Sequence, residues 1–248
     1  MECKTDTVDK TRPLRDPSRK QVWMMFDRIA QHYDFLNRVL SFGIDIFWRR
    51  KMARHLPSRQ DQHILDLATA TADQLLSLFE NSHKVRSGIG MDLAEKMLEI
   101  GRKKMKSRGL ATAVSLRVGD AMDIPTDDQR FDVVTISFGI RNMSDVAKAL
   151  EEMYRVLKPG GRVLVLEFSL PPNSLIRAIH LFYLRHVLPQ VGGLVSGDPW
   201  AYRYLNETIE TFPYGDAFCR LLTAAGFGAV QAHPLTLGVA TIYQGDRL

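Results

Sequence analysis

The stretch HILDLATATADQLLSLFENSHKVRSGIGMD (residues 63–92) decides the fold. It opens on a short apolar run, His63 to Ala68, with the length of one buried strand. A polar turn overlaps the end of that run, from Asp66 to Asp73. Leu75, Leu76 and Phe79 then recur at helical spacing, and SGIGMD (87–92) is a second short run closing on an acid. Strand, turn, helix and strand in about thirty residues make a βαβ unit, hence a parallel strand pair with its crossover helix on one face.

The turn and the acid carry chemistry. In an open α/β sheet, ligands bind beyond the carboxyl ends of the strands. Backbone N–H groups where DLATATAD (66–73) opens a helix receive a carboxylate, and Thr71 adds a hydroxyl donor. Asp92 lies where an acidic side chain accepts hydrogen bonds from ribose hydroxyls, about 20 residues on. A dinucleotide site wants G-x-G-x-x-G, and this turn contains no glycine, which argues against a nicotinamide enzyme.

The alternation continues toward the C-terminus. Ala94 to Arg108 has a helical period, and Ala113 to Val118 is a third strand. Gly119-Asp120-Ala121 follows it, where an aspartate accepts from an adenine amino group. FDVVTIS (131–137) is a fourth strand ending at Ser137, near the middle of such a ligand. Asp145 to Leu157 is helical and stops at Lys158-Pro159-Gly160-Gly161, and RVLVLEFS (162–169) is a fifth strand. This pattern predicts a parallel sheet with helices on both faces. Beyond Pro171-Pro172, a hydrophobic helix over 174–187 leads to GDPWAYRYL (197–205). A last helix over 214–225 stops at Gly226, and closing strands follow near 229–233 and 239–243.

Toward the N-terminus, Val22, Met25, Phe26, Ile29 and Tyr33 recur at helical spacing. A second helix over 46–56 carries Trp48 on one side and Arg49, Arg50, Lys51 and Arg54 elsewhere. The expected organisation is a polar leader (1–20) and one domain (21–248). That domain divides into a helical lid (21–60), a ligand-binding core (62–170), a helical insert (171–210) and a C-terminal helix with strands (211–248).

A chain of 248 residues is long enough for one such domain. The seven histidines are scattered and no CxxC or HExxH occurs, so no metal site is expected. Two cysteines, Cys3 and Cys219, give no disulfide framework, which fits a cytoplasmic setting. No apolar run reaches the ~18 residues of a membrane span, and the first twenty residues lack the apolar core of a secretory signal, so membrane contact is expected to be peripheral. A formal charge of +5 suits an anionic membrane surface or solubility alone. Arg49, Arg50, Lys51 and Arg54 are read as facing anionic lipid or solvent, and the run Arg102, Lys103, Lys104, Lys106, Arg108 as a solvated face. No clustered basic-aromatic strip points to nucleic acid.

Longer blocks carry a resemblance. They are MFDRIAQHYDFLNRVLSFGIDIFWR (25–49), GDAMDIP (119–125), FDVVTISFGIRN (131–142), ALEEMYRVLKPGGRVLVLEFS (149–169) and GDPWAYRYLNETI (197–209). In this order, over roughly residues 22–245, the chain resembles the UbiE/MenG/COQ5 family of quinone-biosynthesis C-methyltransferases. The resemblance implies a class I S-adenosylmethionine-dependent methyltransferase fold: Rossmann-like, with a seven-stranded, mostly parallel sheet and an antiparallel last strand. It implies S-adenosyl-L-methionine held at Thr71, Asp92, Asp120, Ala121 and Ser137. Arg141 would be the catalytic residue, handling the proton through water. Asn142, Tyr202 and Tyr204 would line the pocket of a polyprenyl quinol from menaquinone or ubiquinone biosynthesis, with demethylmenaquinol favoured. A reduced quinol is required, because its hydroxyl donates electrons to the ring carbon. An arginine is itself a poor base, with a pKa above ~12, so its expected part is to stabilise phenolate charge.

The polyprenyl tail calls for an apolar groove between the N-terminal helices and the 174–205 insert, with Phe182, Tyr183, Leu184, Val187 and Leu188 as walls. Oligomeric state stays open, a homo-oligomer included. The chain departs from the family at its turn, which usually reads D-x-A-x-G-T-[GA]-D; Ala70 and Ala72 stand at two of those positions. Ala72 is a mild change if its backbone is helical. Ala70 costs on the order of 1 kcal/mol if its φ is positive, and its methyl points at the cofactor's amino-acid end. Two further readings therefore stay open: a methyltransferase of another small aromatic substrate, and a non-catalytic homologue with impaired cofactor binding.

Overall fold

The computed structural model describes residues 22–190 and 199–248, with backbone alone for 199–202. The expected leader, Cys3 and the loop before Pro199 lie outside the described residues. Val22–Leu40 forms α1 and Ile44–Met52 forms α2, followed by a short 3-10 turn. The βαβ unit is present as β1 (Gln62–Leu67), α3 (Asp73–Asn81) and β2 (Val85–Asp92). Then come α4 (Glu95–Ser107), β3 (Val114–Val118), β4 (Phe131–Ser137), α5 (Val146–Val156), β5 (Leu157–Phe168) and α6 (Ser174–Phe182). The chain closes with α7 (Pro199–Thr211), α8 (Asp216–Ala224), β6 (Gly228–Leu235) and β7 (Ala240–Asp246).

The strands form one seven-stranded sheet in the order β3-β2-β1-β4-β5-β7-β6. All neighbours up to β5 run parallel, and β7 lies antiparallel between β5 and β6, as expected. The order reverses between β1 and β4, so a crevice opens there at the carboxyl ends. The strands at the switch point are apolar on both faces: Ile64, Leu65, Leu67, Val133, Val134 and Ile136 are fully buried. Helices cover both faces, α5 and α8 on one side and α2, α3 and α4 on the other.

Two expectations about elements are corrected. The Lys158–Gly161 stop does not separate helix from strand, because β5 begins at Leu157. Leu157 pairs with Phe131, and the ladder resumes after a shift at Arg162 opposite Val133, so the turn is a bulge with Gly160 at φ 71°. The insert helix is also not uniform: α6 passes into a π-helical turn, Tyr183–Val187. The Tyr183 hydroxyl donates to the Leu40 carbonyl at 2.8 Å, fastening this turn to the end of α1.

Candidate active site

The sheet's carboxyl edge is built around residues 68–72. Ala68, Ala70 and Ala72 all have positive φ, at 46°, 50° and 64°. Ala72 is therefore not in the right-handed helical region, and the reading of it as a mild change is corrected. The zigzag of left-handed residues lets Thr69 and Thr71 point inward. The Thr69 hydroxyl donates to Asp66 at 2.6 Å, and Thr135 donates to the other carboxylate oxygen at 2.5 Å. Burial pushes the Asp66 carboxyl up to about 6, against these hydroxyls. Close approach to the turn is made with glycine: a Cβ on Gly139 would lie 2.5 Å from that of Ala68, and one on Gly101 of α4 would lie 3.2 Å from the Thr71 backbone.

Asp92 holds this turn from the next strand. Its two carboxylate oxygens accept from the Ala70 and Ala94 backbone N–H groups, each at 2.9 Å. Burial pushes its carboxyl above the usual range. Each oxygen keeps acceptor capacity for one more donor.

A cavity of about 340 Å³ lies against these groups, lined by Ala70, Asp92, Asp120, Ala121, Ser137 and Asn142 among others. Asp120 accepts from the Met122 N–H at 2.9 Å. The Ser137 hydroxyl donates to Gln74 at 3.0 Å. Thr71 does not line this cavity. It is fully buried beside it, its hydroxyl donating to Asp34 of α1 at 2.6 Å and accepting from Lys104 at 2.9 Å.

Lys104 also pairs with Asp34 at 2.5 Å and Asp73 at 2.6 Å, and Arg38 reaches Asp73 at 2.6 Å. Burial opposes ionisation of Asp73, but Lys104 and the neighbouring arginines outweigh it and hold its carboxyl below the usual range. Lys104 thus belongs to a network tying α1 to the turn, and its assignment to a solvated face is corrected. Nothing in its spacing separates it from Lys103, because only α1, distant in sequence, makes the difference.

A second cavity, about 270 Å³ and mainly apolar, lies between α1, α2 and the α6–α7 insert. Tyr183, Leu184 and Leu188 line it as expected; Phe182 and Val187 do not and are exposed at 61% and 36%. Phe26, Tyr33 and Phe138 line both cavities and so form their shared wall. Arg141 is buried on the second cavity. Its Nη1 donates to Glu167 at 2.7 Å and to the Phe138 carbonyl at 2.6 Å. Burial pushes the Glu167 carboxyl up, while Arg141 pulls it down. Tyr204 donates to Asn142 at 3.2 Å, joining two expected substrate residues across the cavities. The side chain of Tyr202 lies outside the described residues.

Arg49 is buried too, at 7% exposed, and lines the apolar cavity; its reading as lipid- or solvent-facing is corrected. Arg50 and Arg54 are exposed, and Lys51 lies over the Phe47 ring at 5.1 Å.

A cavity edged by strand-end carboxylates, joined through aromatic rings to a mainly apolar chamber, is what a methyl donor and an apolar acceptor need. Residues 15–247 match the ubiE/COQ5 methyltransferase family. The chain belongs to this family. It is 47% identical over 223 residues to the demethylmenaquinone methyltransferase of Thermus thermophilus, covering 90% of this chain and 100% of that one. It is 44% identical over 228 residues to the ubiquinone/menaquinone biosynthesis C-methyltransferase UbiE of Geotalea daltonii, covering 92% and 97%. Among solved structures, a Thermotoga maritima protein described as an S-adenosylmethionine-dependent methyltransferase superposes with a TM-score of 0.63 at 20% identity, covering 91% of this chain and all of that one. That likeness adds the fold.

Within the family frame, Asp92, Asp120, Ala121, Ser137 and Asn142 converge on one cavity, and Arg141 and Tyr204 on the other. Tyr33, Asp34, Arg49 and Lys104 were not singled out as site residues. Both Tyr33 and Asp34 sit in the quoted 25–49 block; Tyr33 belongs to its apolar helical period, which signals packing, and nothing in the sequence marks Asp34.

Proposed function

We propose that this methyltransferase transfers the methyl group of S-adenosylmethionine to a ring carbon of a polyprenyl quinol, with demethylmenaquinol as the preferred acceptor. The observation that carries this reading is the pair of cavities sharing Phe26, Tyr33 and Phe138 as a wall, one edged by Asp92 and Asp120 and the other apolar. The residues fit the cofactor. Asp92 and Asp120 stand at successive strand ends with acceptor capacity for ribose and adenine donors, and the Ala68–Ala72 backbone approaches the place of the amino-acid end. When bound, the cofactor supplies a methyl group made electrophilic by its sulfonium.

The chain's own residues do the rest. The aromatic wall excludes water and orients the ring, and orientation of this kind supplies ~7–11 kcal/mol. Arg141, held by Glu167 and the Phe138 carbonyl, presents positive charge where the acceptor's phenolate develops. Asn142 and Tyr204 close the passage between the cavities.

An isoprenoid tail leaves the apolar cavity at the level of Phe42 and Tyr183, whose rings are 6.0 Å apart. Around this mouth, α1 and the turn that follows it expose Phe35, Val39 and Phe42, and α6 exposes Leu175, Ile179 and Phe182. These two apolar stripes support peripheral contact with a bilayer, and the exposed Arg50 and Arg54 are available for anionic headgroups. Both cavities are built from one chain among the described residues, so the reading requires no second copy.

The test offers short-tailed demethylmenaquinol and a methoxy-polyprenyl-benzoquinol, each reduced and oxidised, and follows labelled methyl transfer. Transfer to the reduced forms alone, faster for the naphthoquinol, is expected. Equal transfer to oxidised quinones, or transfer to neither quinol, defeats the proposal.

A further inference from the structure

Arg49 of α2 is a buried cation whose one ion pair among the described residues is long and shared. It is 7% exposed, lines the apolar cavity, and its Nε has no hydrogen-bond partner. The nearest carboxylate oxygen, on Asp45, is 3.9 Å away, beyond hydrogen-bond length. That carboxylate is already engaged by Arg38 and by the Ser41 hydroxyl at 2.8 Å. Arg141, by contrast, has Glu167 at 2.7 Å. A buried charge so loosely paired, in a mainly apolar chamber, favours any ligand that brings it an electron-rich oxygen.

The two guanidiniums are arranged about one aromatic pair. Arg49 lies 5.5 Å from the Phe138 centroid and Arg141 lies 5.3 Å from that of Phe168, while the two rings are 4.5 Å apart. Tyr33, on the wall between the cavities, lies within the field of both. Burial raises its phenol, and Arg49 and Arg141 each pull it back down. A ring hydroxyl entering beside Tyr33 meets the same two cations.

We propose that Arg49 is a second donor to the acceptor, binding a ring oxygen of the quinol and favouring its phenolate. The ionisation is simple: the ring O–H breaks, the proton leaves to water, and the electron pair stays on the oxygen facing Arg49. From there it feeds the ring carbon that takes the methyl group. The groups in the field of Arg49 are Tyr33 on α1, Asp45 on its own helix, and Asp66 and Asp73 across the turn; Arg141, Tyr183 and Tyr204 line the same cavity. His180 of α6 lines the same cavity with its Nε2 unpartnered, and burial pushes its imidazole below the usual range. Among the described residues, Arg49 and Arg141 bring positive charge to the cavity wall; Glu167 offsets the second at 2.7 Å, and Asp45 reaches the first only at 3.9 Å.

This inference rests on the quinol reading, so the experiment separates the two. Wild type, Arg49→Met and Arg49→Lys are each loaded with S-adenosylhomocysteine and titrated with a nitronaphthol dye whose phenolate absorbs in the visible. The pH dependence of kcat/KM toward the short-tailed quinol is measured in parallel. Wild type is expected to hold the bound dye's pKa at least about one unit below its free value, a tenfold shift in ionisation. Arg49→Met should lose most of that shift and move the acidic limb of kcat/KM up by about one unit, with cofactor affinity unchanged. Arg49→Lys should fall between. A bound-dye pKa and pH profile the same in Arg49→Met as in wild type overturn the proposal. If that variant does not fold, Arg49→Lys decides: an intermediate dye pKa supports it, and wild-type values in both measurements overturn it. A wild-type enzyme that methylates no quinol defeats the substrate reading instead.

Discussion

Replacing Ala70 by glycine should stabilise this protein, and replacing Ala72 should not, although both have positive φ. A left-handed alanine costs about 1–2 kcal/mol. Glycine returns about 0.4–1 kcal/mol of that through the freedom it adds to the unfolded chain. The balance at Ala70, which is half-buried on the cofactor cavity, is a gain of about 0.5–1 kcal/mol. Ala72 is fully buried in the core against α3 and α4. Removing its methyl loses about 0.8 kcal/mol of burial and leaves a void, which cancels the relief. In a domain of this size, 1 kcal/mol moves Tm by about 2–4 °C. Thermal unfolding of the two single variants should therefore separate them by a few degrees, Ala70→Gly the higher. Calorimetric titration should also show S-adenosylmethionine bound a few-fold more tightly by Ala70→Gly, because the lost methyl stood in the cavity wall. A lower Tm for Ala70→Gly, or an equal rise for Ala72→Gly, would refute this weighing of strain against burial.

Asp66 titrates near 6 in the folded chain against an ordinary 3.8, so the folded state holds a proton that the unfolded state has released. Its contribution is full below about pH 4 and lost as pH rises through about 6, up to about 3 kcal/mol in all. Asp66→Asn should flatten denaturation midpoints across that window, and an unchanged slope would count against it. Lys104→Met should lower stability by about 1–2 kcal/mol, between the values for exposed and buried pairs. It should also shift the acid limb of unfolding upward, because the depressed Asp73 carboxyl, whose contribution disappears as pH falls, loses its main cation; urea titrations at pH 4 and pH 7 check both. Phe42→Ser with Phe182→Ser should weaken sedimentation with anionic vesicles while leaving turnover of a tail-less quinol within about twofold, with binding as tight as wild type the contrary result.

Much of the architecture was legible because it is local. The 63–92 stretch shows its strand, turn, helix and strand by period alone, and the acids at the strand ends declare themselves by position: Asp92 and Asp120 do line one cavity. What the chain alone determined, then, was the order of elements, the sheet's ligand-binding edge and, through its quoted blocks, the family. Tertiary structure decided the electrostatics. Arg49 and Lys104 sit in runs of basic residues that look alike in one dimension, yet one is buried on an aromatic wall and the other joins α1 to the cofactor turn. The reason is that a charge's role depends on its burial and on partners such as Asp34 and Phe138, which stand 70 and 89 positions away in the chain. The alanines of the turn follow the same rule, because their residue type announces a missing glycine, while only the folded backbone, with its positive φ and its neighbours, says which of them is costly.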